Sequence, residues 1–405
     1  MTDPDRHRRA FKFVILLGWV SLFADMCYEG MRSAIGPYLE LLGASATAVG
    51  AVSGTGEAVG FALRYWSGAL VDRTQAYWAL TIAGYAINLV AVPALALVGS
   101  WPAVAALVAL ERLGKAVRSP AKSTLTSFAG KDLGPGRAFA INEAMDQAGA
   151  LLGPLAVAGV LAWRGANASG FAWAFGLLAL PGLATVAVLV RARRLYPDPR
   201  AIEGDADSAD DAGRLAPRYR VYLVGVALVA IGLADWPLLA YHFGKTGVLA
   251  VKWLPIVYAG AMALDGLVSL GAGLAFDRGR ARGGTGAGVV ALFVIAGAAY
   301  GPLSFASSGS LALAIVGIAL WTIARASTES IGKALIAAIV PRAQRGRAYG
   351  IYYVVYGLAW WAGSIALGRL YDADPSYAGI AATASLTLGA IVVALSARER
   401  ESAAP

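Results

Sequence analysis

Gly68-Ala69-Leu70-Val71-Asp72-Arg73 returns 205 positions later as Gly273-Leu274-Ala275-Phe276-Asp277-Arg278. Two more echoes keep nearly the same register. Gly136-Arg137-Ala138-Phe139 is answered by Gly346-Arg347-Ala348-Tyr349, and Ala24-Asp25 by Ala234-Asp235, both at an offset of 210. A long internal repeat in an apolar chain reads as two copies of one multi-helix unit.

Composition says where such units live. The chain has 405 residues, of which 58% are hydrophobic and 15% charged, with a mean hydropathy of +0.62. Soluble domains lie nearer ~45–50% apolar and ~25% charged. A soluble enzyme, a disordered chain and a nucleic-acid binder are therefore excluded, although the net charge is +9. Cys27 stands alone, which rules out an intrachain disulfide and a Cys-rich zinc or redox framework. Forty-nine glycines suit helices packed closely within a bilayer.

A spanning helix needs ~20 apolar residues to cross ~30 Å of hydrocarbon. Twelve such stretches follow one another at 11–41, 44–70, 77–98, 101–128, 138–163, 170–192, 219–243, 247–276, 284–305, 310–340, 349–372 and 376–396. Neither end reads as a cleaved leader. Between the sixth and seventh spans, residues 193–218 are polar, with Pro197, Pro199, Glu203, Asp205, Asp207, Asp210 and Asp211. The expected organisation is a six-helix bundle over 1–192, a cytoplasmic linker over 193–218 and a second six-helix bundle over 219–405. Six being even, both copies run the same way through the membrane, related by a pseudo-two-fold axis: an all-α membrane protein. Of the 34 Lys and Arg residues, 21 fall in loops on the side of the N-terminus, Arg164 and Lys245 fall on the other side, and 11 lie within spans. Positive loops stay in the cytoplasm, so both termini are expected there, in a bacterial inner membrane. The charge excess is a topology signal and not a nucleic-acid surface.

With twelve spans, the half-repeat, the central linker and the Gly-x-x-x-Asp-Arg loop at Gly68, Asp72 and Arg73, the chain resembles the major facilitator superfamily over essentially its whole length. Thr74-Gln75-Ala76 stand where that family carries further basic residues. Gly149-x-x-x-Gly153-Pro154 in the fifth span looks like the motif of the superfamily's antiporters. Glu111-Arg112-Leu113-Gly114-Lys115-Ala116-Val117-Arg118, with Ala138-Phe139 and Ala144-Met145-Asp146 downstream, is similar to a bacterial efflux branch of the drug:proton antiporter kind. The resemblance implies that spans one, four, seven and ten line a central cavity. It also implies gating roles for Gly68, Asp72 and Arg73, for their repeats Gly273, Asp277 and Arg278, and for Gly149, Gly153 and Pro154. Gly68 and Gly273 would allow close helix packing, and the fifth-span motif would bend and thin its helix.

The residues themselves point to the same helices. A charge at the bilayer centre costs at least ~2.5–3.5 kcal/mol, so it should face protein or a wet cavity. Asp25, Glu29 and Arg32 share one face of the first span; Glu111, Lys115 and Arg118 share one of the fourth, beside Arg112. Arg325, Glu329 and Lys333 repeat the spacing in the tenth, Glu143, Asp146 and Gln147 in the fifth, Glu57 and Arg64 in the second. At ~1.5 Å per residue, Asp25 lies roughly 20 Å from the start of its helix and Arg112 roughly 15 Å from the start of its own. Both sit near mid-membrane. Arg118 and Lys333 fall toward the cytoplasmic end, where a gate or headgroup pairing is expected.

These features predict alternating access of two halves, with proton-coupled export of a small organic compound. Asp25, Glu29 or Asp146 would carry the proton. Arg32, Glu57, Glu111, Arg112, Lys115, Glu143, Asp235, Arg325 and Glu329 would line the substrate cavity, and all of these charges would converge on one wet chamber. The energy source is a proton gradient and no cofactor is implied. The partners are a small-molecule substrate and the lipid bilayer, and the expected state is a monomer. Aromatic Trp321, Trp360, Trp361, Tyr352, Tyr353 and Tyr356 either line the site or pack. Asp235-Trp236-Pro237 should break the seventh span, because proline removes a backbone donor, and unwound backbone beside an acid can hold a cation. With Asp25, Met26, Cys27, Met31 and His242, that break keeps an exporter of a metal ion or chelate open. A non-transporting sensor lacks an output domain in this sequence, and an enzyme would need a nucleophile-base or metal motif that the sequence does not carry.

Overall fold

The computed structural model describes residues 4–133, 135–197, 217–284, 286–306, 309–340 and 344–396. Within these, the side chains of 4–7, 61–62, 64–65, 72, 127–140, 337 and 345–346 are not described. The described residues contain sixteen α-helices and no strand. The first seven are α1 (Pro4–Leu41), α2 (Ala46–Thr74), α3 (Tyr77–Ala94), α4 (Trp101–Leu133), α5 (Pro135–Arg164), α6 (Ala168–Leu177) and α7 (Ala179–Leu195). Then come α8 (Pro217–Gly232), α9 (Trp236–Thr246), α10 (Leu254–Ala281), α11 (Ala287–Ala298) and α12 (Tyr300–Phe305). The chain ends in α13 (Leu311–Glu329), α14 (Ile331–Ile339), α15 (Arg345–Ala373) and α16 (Pro375–Leu395).

Four short interruptions split single spans into the pairs α6/α7, α8/α9, α11/α12 and α13/α14. Joined again, the segments make twelve rods at the places expected from hydropathy. Ten of the rods are long and apolar enough to cross a membrane. The other two are α2, diluted by Gly50, Gly54, Gly56 and Gly60, and α4, with five charged residues between Glu111 and Lys122. Residues 198–216, most of the expected linker, lie outside the described residues, as does the side chain of Asp72.

Helix starts follow their capping residues. Asn167 accepts from Gly170 N at 3.0 Å to open α6, and Asp374 accepts from Ser376 N at 2.7 Å to open α16, with Pro375 as first helical residue. Gly247 closes α9 at φ 70°, a left-handed conformation that glycine adopts without strain.

The chain forms two compact units. One holds Met1–Gly43, Val59–Asp207 and Lys252–Ala259; the other holds Ala44–Ala58, Ser208–Val251 and Gly260–Pro405. In the first unit, α1 packs along α5 with backbones nearly touching. A Cβ on Gly149 would lie 2.3 Å from Leu22 O, and one on Gly153 would lie 2.2 Å from Met26 O. The Gly149/Gly153 motif thus thins α5 where α1 crosses it. Among the described residues, a Cβ on Gly68 or Gly273 meets nothing within 4 Å. At one end of the unit, Trp78 Nε1 donates to Tyr196 O at 3.0 Å, and the Tyr196 hydroxyl donates to Arg9 O at 3.0 Å. Phe13 packs against both rings. These contacts tie α1, α3 and the end of α7 together.

In the second unit, the first three turns of α2 run along α15. A Cβ on Gly50 would lie 2.1 Å from Ser364 O, and one on Gly368 would lie 2.5 Å from Ala46 O. The Asp372 carboxylate caps α2 from α15, accepting from Ala46 N and Thr47 N at 2.9 Å each and from the Thr47 hydroxyl at 2.5 Å. The expected break in the seventh span is present as residues 233–235, between α8 and α9. Asp235 caps α9 by accepting from Trp236 N at 2.9 Å, with Pro237 in the first turn. Two aromatic side chains stitch the unwound turn. The Tyr300 hydroxyl donates to Gly232 O at 2.7 Å and accepts from Ala234 N at 2.8 Å, while Trp321 Nε1 donates to Ala234 O at 2.7 Å.

Candidate functional site

Buried charge is concentrated in the first unit, where α1, α3, α4 and α5 meet. Tyr28 of α1 is 2% exposed and stands at its centre. Its hydroxyl accepts from Arg32 Nη1 at 2.9 Å and from Arg112 Nη1. The Lys115 ammonium lies 3.7 Å from the ring centroid and the Arg112 guanidinium 4.7 Å. Three cations from α1 and α4 thus gather on one neutral phenol, an arrangement in which ring quadrupole and hydroxyl both favour positive charge. One turn away, Glu111 is 1% exposed, accepts from Asn88 Nδ2 at 2.7 Å and lies 3.6 Å from Arg112 Nε. Asn88 reaches it because α3 and α4 cross closely at Gly84 and Gly114.

A second network lies one or two turns along. Lys122 of α4 donates to the Ser21 hydroxyl and lies 3.6 Å from Asp146 Oδ1 of α5. Ser21 in turn donates to Asn142 Oδ1 at 2.7 Å, and Asn142 Nδ2 donates to Asp146 Oδ2 at 3.0 Å. Asp25 is half-buried within electrostatic reach of Lys115, Lys122 and Asp146. Arg118 is buried, donates to the Tyr85 hydroxyl at 3.0 Å and stacks 4.2 Å from that ring. The expected headgroup role for Arg118 is thereby corrected: it points into the bundle. Between α1, α3, α4 and α7 a small cavity, with room for about one water, is lined by Cys27, Tyr28, Tyr85, Asn88, Arg118 and Thr185, among others.

Glu29, on the same face as Asp25, accepts from the Tyr258 hydroxyl at 2.5 Å. Glu143 is exposed and accepts from Gln147 at 3.2 Å. In the second unit, Arg325 of α13 pairs with Asp265 of α10 at 2.7 Å and with Glu329 at 3.5 Å, beside Met262 Sδ and the Trp321 ring. Glu57 and Asp235 are buried there. Tyr222, Tyr352, Tyr356 and Trp360 form an aromatic ladder in the same unit. Lys333 is half-buried, 5.9 Å from the Tyr353 ring. Arg73, Asp277 and Arg278 are exposed.

The metal alternative gains no geometry. Among the described residues, no group of three or more His, Cys, Asp or Glu side chains is placed to hold an ion. His242 is packed among Phe243, Phe305 and Tyr371, with Nδ1 2.8 Å from the Tyr371 hydroxyl. The carbonyls of Gly232 and Ala234, which a cation at the break would have needed, already accept from Tyr300 and Trp321.

Tyr28, Tyr85, Asn88, Lys122, Tyr258 and Asp265 belong to these networks and were not singled out by the charge spacing. Lys122 sits at i+4 from Arg118 and extends the α4 stripe, a signal the sequence did carry. Asp265 stands alone in an apolar stretch, and the neutral side chains carry no charge pattern.

No protein-family model matches the chain. The fold is that of solved transporters: the nucleoside transporter NupG (TM-score 0.76, 14% identity, 95% of this chain and 98% of that one) and a bacterial homologue of the lysosomal transporter Spinster (TM-score 0.72, 14% identity, 98% and 96%). The peptide transporter POT in complex with sulfate aligns at TM-score 0.73, with 16% identity over 95% and 94% of the two chains. Twelve rods in this arrangement are a major facilitator fold. In sequence, the chain is 39% identical over 368 residues to the uncharacterized protein Rv2265 of Mycobacterium tuberculosis, covering 90% of this chain and 87% of that one. It belongs to the same family as that mycobacterial protein. An uncharacterized MFS-type transporter of Methanocaldococcus jannaschii, MJ1317, is 29% identical over 152 residues, 37% of this chain and 38% of the relative.

Proposed function

We propose that this protein is a secondary active transporter of the bacterial inner membrane, working by alternating access and exporting a small organic compound against proton entry. The observation that carries the reading is the density of ionisable groups inside the first unit. Asp25, Glu111, Arg112, Lys115, Arg118, Lys122 and Asp146 lie on rods otherwise apolar, at positions where charge is expensive and is kept for function. Asp25 is the proton carrier of choice. It is a half-buried carboxylate facing Lys115 and Lys122, so its proton affinity depends on how those ammonium groups are engaged. Substrate arrival that turns Lys115 or Lys122 toward Asp25 would favour loss of its proton, and proton binding would in turn oppose the substrate, as exchange requires. Asp146, held by Lys122 and Asn142, and Glu29, held by Tyr258, are the alternative carriers. The efflux-like sequence in the fourth and fifth spans supports export, and the Lys and Arg distribution supports cytoplasmic termini.

The test is transport in inverted membrane vesicles carrying the full chain, with a fluorescent pH indicator reporting proton release as candidate compounds are added. Asp25→Asn should abolish the proton signal while leaving compound binding in place. If Asp25→Asn, Glu29→Gln and Asp146→Asn each keep the wild-type signal, proton coupling through these carboxylates is wrong.

A further inference from the structure

We infer that the start of α1 and the end of α7 together form a docking surface for the headgroup of an anionic phospholipid. The inference is independent of what the protein carries and needs only the membrane-spanning fold. Arg8, Arg9 and Lys12 stand near the start of α1, and Arg191, Arg193 and Arg194 near the end of α7. All six are exposed. Both triplets lie at the ends of apolar spans, Arg8–Leu41 and Ala168–Leu195. Among the described residues, no carboxylate pairs with any of the six. The fold holds the triplets side by side. Ala10, Phe13, Val14 and Leu17 of α1 share one buried cluster with Leu189 and Ala192 of α7. Tyr196, just past α7, is fixed twice: its hydroxyl donates to Arg9 O and its carbonyl accepts from Trp78 Nε1, each at 3.0 Å. The two helix ends cannot part without uncovering that cluster.

The chemistry of the surface selects a lipid over a soluble anion or an acidic protein. Phe11 and Leu195, 39% and 56% exposed, sit among the cations and offer acyl chains an apolar floor. Trp19, about two turns farther along α1 and 43% exposed, continues that apolar surface toward the hydrocarbon. Five of the six cations are arginines, whose forked guanidinium matches two phosphate oxygens at once. Clustered Lys and Arg at a membrane surface attract anionic lipid in proportion to their number. Because the charge stands on two helices, a headgroup with two phosphates, as in cardiolipin, engages both triplets better than the single phosphate of phosphatidylglycerol.

The full-length protein, purified in a neutral detergent, is heated with phosphatidylcholine, phosphatidylglycerol, cardiolipin or glycerol 3-phosphate, at low and high salt. In detergent the charges no longer serve insertion, so a response reports binding. The two anionic lipids should raise the melting temperature, cardiolipin at the lower concentration, and salt should weaken the effect. Phosphatidylcholine and glycerol 3-phosphate should not reproduce it. Replacing Arg8, Arg9 and Lys12 together by Gln, or Arg191, Arg193 and Arg194 together by Gln, should each raise the lipid concentration for half the shift by about tenfold or more. Arg220→Gln with Arg280→Gln and Arg282→Gln removes three exposed cations from the other unit and should leave the response unchanged. Should a triplet variant not fold, Arg8→Gln with Arg194→Gln, one charge from each helix, should show a smaller loss in the same direction. Equal stabilisation by phosphatidylcholine or glycerol 3-phosphate, an equal loss in the control variant, or a response that survives both triplet variants would overturn the surface. A wild type indifferent to anionic lipid would overturn it too. If sensitivity then appeared once Glu203, Asp205, Asp207, Asp210 and Asp211 were made neutral, the linker would be the occupant instead.

Discussion

Gly149 of α5 lies against Asp25 of α1. A Cβ on Gly149 would stand 3.1 Å from the Asp25 Cβ and 2.3 Å from the backbone oxygen of Leu22. The glycine of the antiporter-like motif and the carboxylate proposed to carry the proton are therefore one packing unit. The first contact decides how near α1 comes to α5, and so where the Asp25 carboxylate stands relative to Lys122 and Asp146.

Gly149→Ala sets two opposing effects against each other. Alanine gains ~0.5–1 kcal/mol of helix propensity over glycine, while overpacking against rigid backbone costs ~1–3 kcal/mol. The neighbour is a carbonyl and cannot swing away, so the net effect is destabilising. Gly159→Ala, on the same helix with nothing within 4 Å, receives the propensity gain alone. Thermal melts should show Gly149→Ala falling and Gly159→Ala holding or rising. Equal responses would mean that the crossing is looser than described.

Asp372 caps α2 with three hydrogen bonds. Replacing a capping Asp by Ala costs ~0.5–2 kcal/mol. Asp372→Ala should lower the melting temperature and speed amide exchange at Ala46 and Thr47. Asp372→Asn, which keeps an acceptor, should do much less.

Arg325 and Asp265 form a charge pair whose side chains are 9% and 13% exposed. Removing one partner of a buried pair costs ~3–5 kcal/mol, whereas replacing both by apolar residues of similar size is often near neutral. Asp265→Leu should be markedly less stable than Asp265→Leu with Arg325→Met. A double-mutant cycle in denaturant measures the difference, and additive losses would show that the pair contributes little.

Tyr300 serves two backbone groups of the broken span at once. Tyr300→Phe leaves an N–H and a carbonyl without their side-chain partner, at ~1–3 kcal/mol for each buried group. Tyr371→Phe removes the bond to His242. Melting should rank Tyr300→Phe as the more damaging of the two.

Much of the architecture was legible before any coordinates. Hydropathy located twelve rods, and Pro237 located the break in the seventh, because both depend on local sequence. Charge spacing singled out the first, fourth and tenth spans, since i, i+4 periodicity places charges on one face. What stayed hidden depends on how each rod is rotated about its axis. Nothing about Tyr28 in isolation says that Arg112, 84 positions later, will reach its hydroxyl. Nothing about Asp265 says that Arg325 faces it. Of the two roles expected for Arg118, headgroup pairing falls, because depth along a helix says nothing about direction and Tyr85 draws the side chain inward.

The turn between α8 and α9 has one last consequence. Ala234 belongs to no helix, yet its amide is sealed by a buried tyrosine and its carbonyl by a buried tryptophan. In deuterated solvent this residue should keep its proton as long as those in regular coils beside it, with no ligand added. The corner is a permanent fixture of the resting protein and needs no visitor to hold its shape.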